Sequence, residues 1–202
     1  KVPGDKATED LVAGPAVPPG RYKVRLTIDG HASTQPFEVR QDPRVRATQE
    51  DLEAQYDLLV RVRDMLSETH DAVNLIRDVR DQVRGWRRRT RGTEHALAVS
   101  VAADALEATL ATIEDELIQA KSDSPLGEPL RLNAKLASLT SFVDSADAAP
   151  TRQERDVFDD LSARIDAQLA RLRDVLATDV VAFNELLNQT RVPAIVVPPT
   201  TA

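Results

Sequence analysis

From residue 48 to residue 191 the chain carries only three of its seven glycines, Gly85, Gly92 and Gly127, while leucine, valine and isoleucine return every three or four residues. A stretch of that length and period folds as long amphipathic helices packed on one another. Just upstream the period changes to two, with Tyr22, Val24, Leu26 and Ile28 alternating with Lys23, Arg25 and Thr27. That alternation predicts a half-buried strand. Asp29-Gly30 supplies the positive φ of a tight hairpin turn, and Phe37 and Val39 mark the returning strand. Pro36 weakens the start of that strand or places it at an edge. Asp42-Pro43-Arg44 ends the β region.

Two strands cannot bury a core by themselves. An immunoglobulin-type sandwich needs about seven strands, so the pattern reads as its last hairpin, with the missing strands upstream in a longer polypeptide or on a separate fragment. The chain begins at Lys1 rather than Met, which fits an interior or processed piece. The expected fold is mostly α: a long antiparallel helical bundle or coiled coil, preceded by a β-hairpin that completes a β-sandwich. Residues 1–44 would hold the C-terminal strands of the incomplete sandwich, residues 45–191 a four-helix antiparallel bundle, and residues 192–202 an extended, proline-bearing tail.

Helix boundaries follow from capping chemistry. Thr48 with Asp51 predicts a capping box at the start of the first helix, with the stripe Leu52, Tyr56, Leu59, Val62, Leu66, Thr69, Val73, Ile76, Val83 and Trp86. Asp57 and Arg61 are spaced for an i to i+4 ion pair. Gly85 and Gly92 bracket the helix end and turn. Thr93 would cap the second helix, lined by Leu97, Val101, Leu106, Leu110, Ile113 and Leu117 and ending near Lys121. The third would run from about Leu130 to Val143 through Leu132, Leu136, Leu139 and Phe142. Thr151 with Glu154 forms a second capping box, opening a fourth helix that matches the first in length. Its apolar residues are Val157, Phe158, Leu161, Ile165, Leu169, Leu172, Leu176, Val180, Phe183 and Leu187, with Asp160 and Arg164 as an exposed pair.

Composition narrows the function classes. Aromatic residues make up 3% of the chain, which suits helix packing better than an aromatic-lined ligand pocket. The net charge of -7 opposes non-specific nucleic-acid binding. Absence of cysteine removes disulfides, thiolate nucleophiles and cysteine zinc sites. No apolar run approaches the ~18 residues of a membrane span, and no basic-then-apolar leader opens the chain.

Among candidate sites, Arg84, Arg87, Arg88, Arg89 and Arg91 surround Trp86, a combination that could grip an anion or stack a base. A solvated helix end is the plainer explanation. His31, His70 and His95 lack any H-x-x-x-H spacing, and Glu68 or Asp71 beside His70 would need distant partners to hold a metal, so surface histidines are expected. Asp144 and Asp147 lack a calcium-loop pattern. Asp159-Asp160 and Glu114-Asp115-Glu116 read as exposed helix charges, since acid-base work needs a dry cleft. No catalytic residue, metal or cofactor is expected. Tyr22, Val24 and Leu26, with Trp86, are the candidate docking residues.

Several stretches carry a family resemblance: Pro19-Gly20-Arg21-Tyr22-Lys23-Val24-Arg25-Leu26 with Asp29-Gly30, Asp42-Pro43-Arg44-Val45, Arg131-Leu132-Asn133-Ala134-Lys135-Leu136-Ala137-Ser138-Leu139, Asp147-Ala148-Ala149-Pro150-Thr151, and Phe183-Asn184. They resemble the C-terminal region of large exported bacterial proteins built around a sortilin-like β-propeller of BNR (sialidase-type) repeats, often labelled glycosyl hydrolases. The resemblance implies export, and a propeller and small sandwich of the parent protein, or another chain, as partner. No S-x-D-x-G-x-x-W repeat occurs here, so a hydrolase label does not transfer. The resulting expectation is a non-catalytic structural or interaction module at the C-terminus of such a protein, presenting helical surfaces for docking to the parent body or an assembly partner, with homo-oligomers allowed. The alternatives are an accessory domain of a glycan-active hydrolase whose catalytic part lies elsewhere, and an anion or nucleic-acid binder using residues 84–91.

Overall fold

A computed structural model describes residues 2, 3, 5, 14–119 and 130–192. Strands β1 (Gly20–Ile28) and β2 (His31–Val39) form a two-stranded antiparallel sheet, and five helices follow: α1 (Gln49–Arg89), α2 (Ala96–Leu117), α3 (Leu132–Val143), α4 (Arg152–Ala177) and α5 (Asp179–Thr190). The predicted extended tail beyond Val192 lies outside the described residues. Among them no further strand joins β1 and β2, so no sandwich is closed.

The turn forms where the Asp29-Gly30 pair predicts it, both residues taking positive φ, 50° and 80°. The register pairs Tyr22 with Phe37, Val24 with Gln35, Leu26 with Ser33 and Ile28 with His31. Both capping boxes are present. Thr48 Oγ1 accepts from the Asp51 amide at 3.1 Å while Asp51 accepts from the Thr48 amide at 2.8 Å. Thr151 and Glu154 repeat the exchange at 3.2 Å and 2.6 Å.

Helix α1 is the spine, about 60 Å long at 1.5 Å per residue. It packs against α2, α3 and α4. Leu59, Val62, Leu66, Val73, Ile76 and Val83 sink into a common core with Leu106, Leu110, Ile113 and Leu117 of α2, Leu136 and Leu139 of α3, and Phe158, Leu161, Ile165 and Leu169 of α4. Because three helices share that stripe, α1 does not form one side of a two-helix coiled coil. Val2 also enters the core, and the Pro3 carbonyl accepts from Arg77 Nη1 at 2.6 Å, so these described N-terminal residues sit on the helices.

Several expectations are corrected. Helix α1 does not stop at Gly85 but continues to Arg89; a single interior glycine costs only about 1 kcal/mol, and Trp86 packs against the core beside it. The chain turns instead at Thr90 to Gly92, where Gly92 takes φ 82°. Thr93 does not cap α2, because its hydroxyl donates to the Thr90 carbonyl at 2.7 Å; the cap position is His95. Helix α2 ends at Leu117 rather than near Lys121. Its buried face is Val99, Ala103, Leu106, Leu110, Ile113 and Leu117, leaving Leu97 and Val101 exposed. Five residues from Leu106 back to Val101 turn the helix well past a full revolution, so the predicted stripe had slipped off its face. Phe142 and Val157 are likewise exposed, their neighbours Val143 and Phe158 being buried instead.

The single long fourth helix is divided at Thr178 into α4 and α5, making five helices among the described residues where four were expected. Thr178 Oγ1 donates to the Asp174 carbonyl at 2.8 Å, and its amide is shared between the Asp174 and Val175 carbonyls. Such back-bonding by a threonine bends a helix. Arg61 does not pair with Asp57. It reaches Asp159 at 3.4 Å and lies 4.4 Å from the centre of the Phe158 ring, because α4 offers both a carboxylate and a ring face.

Two stability measurements follow. Ile76→Ala, at a fully buried site, is expected to lower the unfolding free energy by about 2–5 kcal/mol in urea titration. The amide of Thr48, then its hydroxyl, hold the Asp51 carboxyl below the usual carboxylate range. A depressed folded value stabilises above the unfolded pKa near 4 and is lost as pH falls through the folded value. Below that pH the urea midpoint of the native chain should drop, and Asp51→Asn should show a smaller drop over the same window.

Candidate interaction surfaces

Four of the candidate arginines lie on the last turns of α1, and Arg91 lies in the turn just past its end. Arg77 Nε meets Glu114 Oε1 at 2.7 Å and Arg80 Nη1 meets Glu114 Oε2. Arg84 Nε meets Glu107 at 3.0 Å, and Arg87 Nη1 meets Asp104 at 2.6 Å. Numbers rise along α1 as they fall along α2, so these contacts form a ladder between antiparallel helices. Glu114 is buried and fixes two guanidinium groups at once. Of the five predicted anion-binding residues, Arg84 and Arg87 are therefore occupied by carboxylates. Arg89 stacks on Trp86 with its guanidinium carbon 4.9 Å from the ring centre. Arg88 and Arg91 have no ion pair among the described residues. Trp86 is half-buried against the core, which leaves little of it for docking or base stacking.

The other three docking residues sit on the hairpin. Side chains of directly opposed residues share a face of a sheet, so Tyr22, Val24, Leu26 and Ile28 lie with His31, Ser33, Gln35, Phe37 and Val39 on one side, apolar along β1 and mixed along β2. Arg21, Lys23, Arg25 and Thr27 lie on the other. Tyr22 is half-buried, its ring 5.8 Å from that of Phe37 and its hydroxyl donating to the Pro18 carbonyl at 2.6 Å. Val24, Leu26, Ile28 and Phe37 are 56%, 61%, 59% and 47% exposed, and among the described residues no helix packs on either strand. The hairpin joins the helices through Gln41, whose amide donates to the carbonyls of Val45 and Ala47 at 3.4 Å and 2.5 Å, and through Gln49, which donates to the Pro19 carbonyl at 2.9 Å. Asp42 grips Arg44, whose side chain and then backbone amide lower the Asp42 carboxyl below its ordinary value.

The histidines do not converge. His31 closes the hairpin in water and His95, half-buried with Nε2 3.6 Å from Glu94, precedes α2, whereas His70 is buried with Nε2 at 3.4 Å from Asp5 Oδ2. Asn133 donates to the same Asp5 oxygen at 2.8 Å. This buried polar junction between the N-terminal residues, α1 and α3 corrects the expectation of a surface histidine; spacing along one helix gives no sign of it. No group of three or more metal-ligating side chains gathers among the described residues. Asp160 pairs with Arg164 at 3.7 Å, as predicted. An open groove between α3 and α4, about 540 Å3, is lined by Leu130, Lys135, Ser138, Asp156, Val157, Asp160, Leu161 and Arg164. Its carboxylates are exposed, and the Ser138 hydroxyl donates to the Ala134 carbonyl at 2.8 Å, so no activated nucleophile stands there.

Helix α2 is long and apolar enough to cross a membrane, with a mean hydropathy of 1.5 over its most apolar window. It packs on α1, α3, α4 and α5, where a largely apolar helix is also expected as a core element. No family model matches the chain, and neither the curated proteins nor the solved structures contain a match to it.

Removing the carboxylate that two arginines share should be severe. Glu114→Ala is expected to destabilise the fold by about 2–4 kcal/mol, less than a fully enclosed pair because both guanidinium groups are partly exposed. Asp104→Ala, at the exposed end of the ladder, should change stability by less than about 1 kcal/mol. Urea unfolding followed by circular dichroism checks both.

Proposed function

We propose that this chain is a non-catalytic structural and interaction module, in which a rigid helical body carries a β-hairpin that docks onto another protein and completes a β-sandwich there. One observation carries the reading: the apolar side chains Val24, Leu26, Ile28 and Phe37 on one hairpin face are exposed, and no helix among the described residues covers them. An isolated two-stranded sheet is marginal in water, so such a face is a binding surface awaiting a second layer. The resemblance to exported propeller proteins supplies a parent body and an extracytoplasmic location as part of the same proposal. The anion-binding alternative is disfavoured by the ladder that occupies Arg84 and Arg87.

Changing Val24, Leu26, Ile28 and Phe37 together to serine tests the reading. The helical melting midpoint should stay within about 1 °C of the native chain, since surface changes away from core contacts are nearly neutral. Binding of an apolar fluorescent dye should fall. A fall of several degrees in the midpoint would mean that the hairpin belongs to the helical core and presents nothing.

A further inference from the structure

The two outer edges of the hairpin, which no other strand among the described residues pairs, are not equivalent. Asp29 and Gly30 make a two-residue primed turn, so Ile28 and His31 close the ladder as a hydrogen-bonded pair, and such pairs alternate along an antiparallel sheet. Counting along the register, Gly20, Tyr22, Val24 and Leu26 direct their backbone groups inward to β2, while Arg21, Lys23, Arg25 and Thr27 direct theirs outward. On β2 the outward residues are Ala32, Thr34, Pro36 and Glu38. Pro36 has no N–H to offer, which is harmless to the hairpin but interrupts the outer edge of β2. A third strand finds an unbroken row of donors only along β1.

The tyrosine provides an independent marker. Tyr22 stands near the start of β1, and its hydroxyl donates to the carbonyl of Pro18, four residues upstream. That is the tyrosine corner found at the entry to strand F of Greek-key β-sandwiches, where F lies between strand C and the final strand G. We infer that β1 and β2 occupy the F and G positions of a sandwich whose remaining strands come from another polypeptide segment. The partner adds its strand C along the outward edge of residues 21–27, and its opposing sheet covers Val24, Leu26, Ile28 and Phe37. This rests on the docking reading above and names its occupant: a β-sandwich lacking its last hairpin.

Area and charge separate that occupant from others. A hairpin of this length offers a face of about 30 by 10 Å. Two copies face to face would bury roughly 600 Å2, half of what a stable interface needs. Arg21, Lys23 and Arg25 project from the face opposite the apolar one, where a sandwich leaves them in water. An anionic membrane surface would require them beside the apolar side chains.

The test mixes the full chain with strands A–E of a fibronectin type III domain made by deleting its last hairpin, that hairpin as a free peptide serving as positive control. The expected result is an equimolar complex on size exclusion, with hydrogen exchange at the amides of Lys23, Arg25 and Thr27 slowed about tenfold or more. Lys23→Pro removes one outward donor and should abolish the complex; Thr34→Pro, the matched change on β2, should leave it intact. Tyr22→Phe should reduce its yield several-fold. No complex where the control peptide reconstitutes the fragment, or equal loss from Lys23→Pro and Thr34→Pro, overturns the F and G assignment. Binding that survives the four serine changes overturns the docking reading itself.

Discussion

Helix α1 keeps its length because three other helices divide its apolar stripe between them. An isolated helix derives little stability from backbone propensity alone, and this one tolerates Gly85 in its interior. What holds it is burial of Leu59, Val62, Val73, Ile76 and Val83 against α2, α3 and α4. With so few aromatic residues available, that contact is made by branched aliphatic side chains, which interdigitate at close approach.

Charge then specifies what the apolar contact leaves open. A leucine-lined seam tolerates several alignments of two helices, but Arg77, Arg80, Arg84 and Arg87 meet Glu114, Glu107 and Asp104 in only one. Burial of Glu114 makes misalignment expensive, because any slip would strand a desolvated carboxylate. The arginine-rich end of α1 is thus explained by its neighbour in the fold, with Arg88 and Arg91 left facing solvent.

Features decided within a few residues were legible in the sequence. Both capping boxes and the Asp29-Gly30 turn depend on local chemistry and stand as expected; β1 forms where its alternation places it, but the apolar side expected to be buried is exposed, because no second layer among the described residues covers it. Features decided by a distant segment were not. The carboxylates that occupy Arg84 and Arg87 belong to another helix, and a matching spacing of Asp104 and Glu107 would have been the only hint. Leu97 and Val101 follow a plausible helical period but fall on the wrong side of α2, since phase is settled by where the neighbours lie. The break at Thr178 and the burial of His70 beside Asp5 likewise arise from side-chain bonds that periodicity cannot register.

The segment between hairpin and helix is short and internally bonded. Gln41 spans to the carbonyls of Val45 and Ala47, Asp42 clasps Arg44, and Gln49 ties the first turn of α1 back to Pro19. A connection braced in this way resists swivelling, unlike a glycine-serine tether. Any body attached to the hairpin would therefore inherit a defined attitude toward the long rod.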